Sequence, residues 1–333
     1  MSVTARLCAP AYELGEYADP VTGLPELEDD PAASAELTAP AAGFATYRWS
    51  DAPVTELMSA AVQRTLGESG VPGGDVDLVL LATDSLPPGR AAHRDVAELL
   101  ADAGLERATA STLGLMDCAT ATVAVGTAAS LVRDGSARHV LVVSGDLADR
   151  ATGGERIVAG GAAIASDGAA CALVSATAAG LPVLGMAHHT SSEAGQGGGA
   201  RQELAARIAA HRELFARLAA HHPVRPADVR AVLASNFARN VLDIYLSDVG
   251  YGGERLVSDN VGRIGHCLGS DPLINLADWL AGPGAADPAA SGGAPGAEDP
   301  QGDRLVLLGA GISHLAAVLL AARPLPHAPE GSS

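Results

Sequence analysis

Cys118 stands in the segment Leu115-Met-Asp-Cys-Ala-Thr-Ala-Thr, after a short apolar stretch and before a run of small residues that reads as a helix. A thiol at a helix N-terminus feels the positive end of the dipole and the free N–H groups there, which favour the nucleophilic thiolate. A lone cysteine also serves as a small buried hydrophobe, so on this segment alone both readings stand. Cys8, Cys171 and Cys267 lie far from Cys118 and from one another, with no CxxC spacing. Neither a zinc site nor a disulfide framework is expected, and no metal. Cys171 and Cys267 read as packed core residues. The pairs His188-His189 and His221-His222 read as solvated loop residues, because sequence neighbours cannot easily face one metal. Gly309-x-Gly311 lacks the third glycine and the later acidic residue of a dinucleotide turn. His314, just beyond it, reads as a packed histidine rather than a pocket residue. Arg201, Arg207, Arg212 and Arg217 read as the solvated face of a helix, accompanied by Glu203 and Glu213.

The rest of the composition narrows the chemistry further. All 21 basic residues among the 333 are arginine, against 39 acidic ones, for a net charge of −18. Without a lysine there is no P-loop amine and no Schiff-base catalysis. The negative balance opposes nucleic-acid binding, and 3% aromatic residues offer no base-stacking platform. The N-terminus has no signal-peptide pattern, and no stretch of 18 apolar residues occurs; even the run near Leu315–Ala322 is too short. A soluble cytoplasmic protein with no membrane partner is expected.

A nucleophile needs a scaffold, and the apolar runs suggest one. Val76–Ala82, Val140–Ser144, Ala169–Ser175, Ala231–Ala234 and Leu305–Leu308 are short continuous apolar segments of the kind that form buried parallel strands. Helical patterns lie between them: Val54–Gly67 after the candidate cap Asp51, Ala119–Arg133 ending at Gly135, Arg201–His222 and Asn236–Val249. Alternating strands and helices predict an α/β fold. The order of elements around 76–143 recurs around 231–308, which predicts two similar halves, 1–178 and 179–333. The first 50 residues show no placeable pattern. Ala32–Ala45, Glu193–Ala200 and the Pro/Gly/Ala tract at 282–302 read as low-complexity, the last as a surface insertion.

Three segments in order carry a resemblance: Cys118-Ala119, then Val140–Asp146 (VLVVSGD), then Ser166–Ala172 (SDGAACA). This order resembles the thiolase superfamily, in particular the β-ketoacyl-acyl-carrier-protein synthase III branch, over about residues 50 to 320. The residue before the nucleophile is usually Ala in that family, and here it is Asp117. The resemblance implies a five-layered αβαβα thiolase fold, a homodimer, and Cys118 as the nucleophile acylated by an acyl-CoA or acyl-carrier-protein thioester, with no bound cofactor. Family members carry a His in a P-H-x-x-N turn and an Asn in a later G-N-T-S turn. Here Ser235 or Asn236 takes the His place and His266 takes the Asn place, 31 or 30 positions on. Leu308-Gly-Ala-Gly-Ile-Ser resembles the glycine-rich loop that approaches the nucleophile, so Gly311 is expected to offer a backbone N–H to the oxyanion, with Asn236 in support. Arg239, after the first turn, falls where relatives meet the phosphopantetheine arm or carrier.

The exchanged residues predict the chemistry. Decarboxylating condensation needs two donors on the enolate that forms, whereas acyl transfer needs one base for the acceptor. His266 can be that base, and Asp271, five residues on, can orient it in a Cys–His–Asp order, as in the acyltransferase relatives of this branch. The alternative for Asp271 is a helix cap ahead of Pro272. The expected function is therefore acyl transfer from a thioester, through Cys118, to a hydroxyl, an amine or a second carrier in polyketide-type specialised metabolism. The alternatives are a condensing enzyme that primes a polyketide or fatty acid, and a non-catalytic partner subunit.

Overall fold

The computed structural model describes residues 3–191, 193, 199–282 and 303–328. The glycine-rich and Pro/Gly/Ala segments named above fall largely outside them. Fourteen strands are formed within these residues. In the first half of the chain they are β1 (Arg6–Leu14), β2 (Tyr17–Pro20), β3 (Thr46–Trp49), β4 (Leu78–Ala82), β5 (Thr109–Leu113), β6 (His139–Asp146), β7 (Ile157–Val158), β8 (Ala163–Ile164) and β9 (Gly168–Ser175). The second half adds β10 (Leu181–Thr190), β11 (Val229–Ala234), β12 (Leu256–Val257), β13 (Arg304–Ala310) and β14 (His314–Ala321). Ten of them make one mixed sheet in the order β12-β11-β13-β14-β10-β1-β9-β6-β4-β5, while β2/β3 and β7/β8 are separate hairpins.

The large sheet consists of two sets of five with one plan. In each set two outer strands run parallel to a third (β5 and β4 with β6; β12 and β11 with β13), and two antiparallel strands follow (β9 and β1; β14 and β10). The sets join only where Arg6 and Leu7 of β1 pair with Pro182 and Leu181 of β10. The strands are apolar on both faces because each face meets a different core. Val140 and Val142 of β6, Ala231 and Leu233 of β11, and Leu305 and Leu307 of β13 share one cluster with the helices Thr120–Asp134 and Asp271–Ala281. Their neighbours Leu141 and Val143 face the helix Val54–Ser69, and Val232, Val306 and Leu308 face the helix Ala200–His221. A period of two thus distributes one apolar run between a central helix layer and an outer one. Helix, sheet, helix, sheet and helix layers result, the expected αβαβα order.

All five expected strands are present, but Ala169–Ser175 lies in β9, which runs antiparallel to both β6 and β1 rather than parallel, and the helices start or end within a few residues of expectation. Gly135 closes its helix in the left-handed conformation at φ +82°. Several expectations change. Asp51 caps nothing: the helix starts at Val54 behind Pro53, with no side-chain cap. The helix after β11 starts at Arg239 rather than Asn236, because Ser235–Ala238 form an extended turn. The opening segment holds β1, in the middle of the sheet, and its Val21, Leu24, Leu37 and Phe44 form a small core with Ile164, Ala238 and Val261. The first part of Ala32–Ala45 belongs to the helix Pro31–Leu37, capped by Asp30. His188 and His189 lie on β10, and the Leu315–Ala322 run is the body of β14. Arg207 is 6% exposed and paired with Glu203, so that helix face is only partly solvated. Among the described residues no helix is long and apolar enough to cross a membrane.

The close approach of β13 to the segment bearing Cys118 depends on Gly309. A Cβ there would lie 2.9 Å from Ala119 Cα and 3.0 Å from the Cys118 carbonyl oxygen, and backbone atoms cannot swing away. Gly309→Ala is therefore expected to destabilise the protein by about 1–3 kcal/mol, the usual cost of overpacking. Gly67 sits exposed inside a helix with nothing within 4 Å of such a Cβ, so Gly67→Ala is expected to stabilise by about 0.5–1 kcal/mol. Urea unfolding midpoints of the two variants, shifted in opposite directions, check both.

Candidate active site

The two central helices bring the reactive groups together. Cys118 lies in the one-turn segment Asp117–Ala119 that leads into the helix Thr120–Asp134, and Asp271 is the first residue of the helix Asp271–Ala281. Both N-termini meet at the same place, so two helix dipoles offer their positive ends to the sulfur and the carboxylate. His266 sits between them, held by a bridge in which its N–H donates to the Ile164 carbonyl and its carbonyl accepts from the Ser166 N–H, both at 2.8 Å.

His266 Nε2 is 3.2 Å from Cys118 Sγ, and its Nδ1 is 2.5 Å from Asp271 Oδ2. His266 and Asp271 are wholly buried, while Cys118 is partly open. Phe237 meets the imidazole edge-on at 5.3 Å and fixes its plane. Burial alone would push His266 below its usual 6.5, but the charges of Cys118 and Asp271 and their hydrogen bonds outweigh it and raise the imidazole to about 10. The imidazole of His266 is therefore held in its protonated form at neutral pH.

Asp271 does not cap its own helix. Its Oδ1 accepts the Cys267 N–H at 2.7 Å and the Asn236 side-chain amide at 3.2 Å, and its Oδ2 also accepts the Asn236 backbone N–H at 2.6 Å. Asn236 is thereby taken out of the role expected for it. Its amide also donates to the Gly265 carbonyl at 2.9 Å, and its oxygen accepts from Asn275 at 2.9 Å, so it faces Asp271 from behind rather than an oxyanion. Ser235 is buried, with Oγ accepting the Ala310 N–H at 3.0 Å. Gly311 lines the cleft, but its N–H donates to the His314 carbonyl at 2.8 Å and is not free for an oxyanion. Asp117 packs so tightly there that a Cβ on Gly311 would lie 2.3 Å from the Asp117 Cβ. Arg239 folds over Gly43 and donates to the Ser258 carbonyl at 3.2 Å; it is not among the cleft residues. Cys267 is fully buried, and His314 is partly exposed, 3.4 Å from Asp117.

Sequence reasoning missed two sets of residues. Asn275 and Asn260 extend the polar chain behind Asp271, with Asn260 donating to Asn275 at 2.8 Å and Asn275 to the Ala234 carbonyl at 2.8 Å. The four-residue spacing from Asp271 to Asn275 on one helix face was the available signal. The second set lines the cleft of about 450 Å³ in front of Cys118: Asp84, Asp117, Asp146 and Glu155. Asp146 ends a strand that is buried along its whole length, a position where a carboxylate calls for an explanation.

The geometry can be set beside known proteins. A sequence model of the 3-oxoacyl-[acyl-carrier-protein] synthase III family matches residues 115–192. No curated protein matches the sequence. Cerulenin-bound OleA of Xanthomonas campestris is similar in structure, with a TM-score of 0.74 at 13% identity over 96% of this chain and all of that one. ChlB3, described as an acyltransferase, gives 0.72 at 20% identity over 96% of this chain and 97% of its own. The priming β-ketosynthase of the R1128 polyketide pathway gives 0.67 at 18% identity over 98% of both. The chain therefore has the thiolase fold, and the segment that carries Cys118, residues 115–192, is similar to the 3-oxoacyl-[acyl-carrier-protein] synthase III family.

Proposed function

We infer that the protein is an acyltransferase of polyketide-type metabolism that carries the acyl group on Cys118. The observation that supports this reading is the continuous chain Cys118–His266–Asp271, with Asn236 spent on holding Asp271. In the first half-reaction the thiolate adds to a thioester carbonyl, the carbon–sulfur bond to CoA or carrier breaks, and His266 protonates the departing thiol. In the second, His266 takes the proton of an acceptor hydroxyl while its oxygen adds to the acyl carbon, and the bond to Cys118 breaks to restore the thiolate. Asp271 holds the imidazole in the tautomer that both steps need. The Cys118 N–H, in the first turn ahead of a helix, serves the oxyanion.

Condensation fits the site less well. It needs two donors on the malonyl thioester carbonyl, and the second candidate, Asn236, faces away. The acidic residues of the cleft also oppose a malonyl carboxylate. The protein works as a homodimer in this reading, in a soluble compartment.

Intact mass spectrometry with a panel of acyl-CoA and acyl-carrier thioesters is expected to show a covalent acyl adduct on the wild type. The adduct is expected to be absent from Cys118→Ala, with no CO₂ released from malonyl thioester. Decarboxylation with a β-ketoacyl product would make the protein a condensing enzyme instead. Asp271→Asn is expected to slow turnover by roughly 10⁴-fold, because an amide stabilises the wrong histidine tautomer.

The charge state of His266 also leaves a mark on stability. A value raised above 6.5 means that its contribution is complete below about pH 6.5 and is lost as the pH rises through about 10. The gap in Tm between wild type and His266→Gln is expected to narrow from about pH 7 to about pH 11; a constant gap would contradict the raised value of His266.

A further inference from the structure

The acids of the cleft stand out because arginine pairs acids elsewhere. Arg156 holds Asp167, Arg212 holds Asp248, Arg225 holds Asp228 and Arg263 holds Asp278. The residues that line the cleft in front of Cys118 include four carboxylates and no arginine. Asp84, Asp117 and Glu155 are exposed at its mouth, and Asp146 lies inside, 5% exposed. Asp117 reaches only the Ser313 N–H at 3.1 Å and His314 at 3.4 Å.

Asp146 is the informative member. Thr83 Oγ1, the Asp84 N–H and Ser85 Oγ all donate to its Oδ1, at 3.1, 2.8 and 2.9 Å, and among the described residues no hydrogen bond reaches Oδ2. Oδ2 is not one of the atoms sealed away without a partner, so this otherwise buried carboxylate keeps one oxygen open to the cleft, where a group that enters can meet it. Burial pushes Asp146 up to about 7, against its hydrogen bonds, and the charge of Asp84 adds to the rise. Burial raises Asp84 as well, with Asp117 adding to it. The charges that act on this pair are thus other carboxylates, and a cation placed among them would relieve all of them at once.

We propose that the cleft takes a substrate carrying a protonated amine, held by Asp146 and Asp84 within reach of the Cys118 thioester. The proposal rests on the acyl-transfer reading and names its substrate class. The ammonium belongs either to an amino alcohol acceptor, whose hydroxyl is acylated, or to an amino-substituted acyl group. No proton is taken from the ammonium in either case: the acceptor hydroxyl loses its proton to His266, and the cation stays paired with the carboxylates.

Two matched comparisons on the full-length protein test it. In the acceptor arm, acetylated enzyme is treated with 3-aminopropan-1-ol or butan-1-ol, and loss of the adduct is followed by intact mass. In the donor arm, 4-aminobutanoyl and pentanoyl N-acetylcysteamine thioesters compete for Cys118. The cationic member of one pair is expected to react faster by about tenfold or more, and that arm identifies the source of the ammonium. Asp84→Asn and Asp146→Asn are each expected to lower this ratio severalfold; the ratio is internal to each variant and so is unmoved by a general loss of activity. Ratios near one in both arms, or ratios unchanged in both variants, would overturn the proposal. If no donor acylates Cys118, the acyl-transfer reading fails by itself. The cation site is then decided by saturation-transfer NMR. Signal from 3-aminopropan-1-ol, weakened in Asp84→Asn and absent for butan-1-ol, supports it, and equal signals from both alcohols overturn it.

Discussion

A carboxylate with no exposure to water governs this structure. Asp271 takes His266, the Asn236 backbone and side-chain amides and the Cys267 N–H as its donors, at the N-terminus of a helix. An ionised carboxylate in the interior is tolerable only when its lone pairs are occupied and positive potential surrounds it. That requirement fixes the turn after β11, the turn before the helix Asp271–Ala281, and the imidazole between them. The asparagines behind Asp271 continue the demand outward, through Asn275 and Asn260 to Asp278 and Arg263 near the surface. Removing one member leaves its neighbours with unmatched polar atoms, so the network constrains the second half of the site as a unit.

The duplicated sheet supplies the other constraint. Two five-stranded sets with one plan hold two equivalent helices between them, and their N-termini converge because the two sets are arranged alike. One terminus carries Cys118 and the other Asp271, with His266 in contact with both. The protonated imidazole between the sulfur and the carboxylate, and the helix ends on either side, put positive potential where Asp271 is buried. The site is negative beyond its chemical centre, however. The carboxylates around the cleft carry no arginine among them, in a chain that pairs its acids with arginine in many other places.

Much of this was legible in the residue order. The strands were readable because runs such as VLVV are apolar at every position, which only a sheet covered on both faces requires. Cys118 was visible as a cysteine that opens a small-residue helix, and His266 with Asp271 as a pair in a turn. β1, β10 and β14 were harder to see: their residues mix alanine, proline and histidine, and their strand state comes from pairing with neighbours rather than from propensity. Arg207 likewise looked like its solvated neighbours until the packing of its helix buried it.

The sequence by itself determined which groups exist to do chemistry: one thiol at a helix start, one histidine near an aspartate, no lysine, and a large acidic excess. Only the tertiary structure decided which of them meet. Asn236 and His266 are both polar residues in turns at family-like spacing, and nothing in their order says that one faces the sulfur and the other faces away. The same holds for Asp84, Asp117, Asp146 and Glu155, scattered over 72 positions and gathered at one cleft. The direction of a side chain depends on which strands pair and which helix ends converge, and those are long-range contacts that local periodicity does not encode.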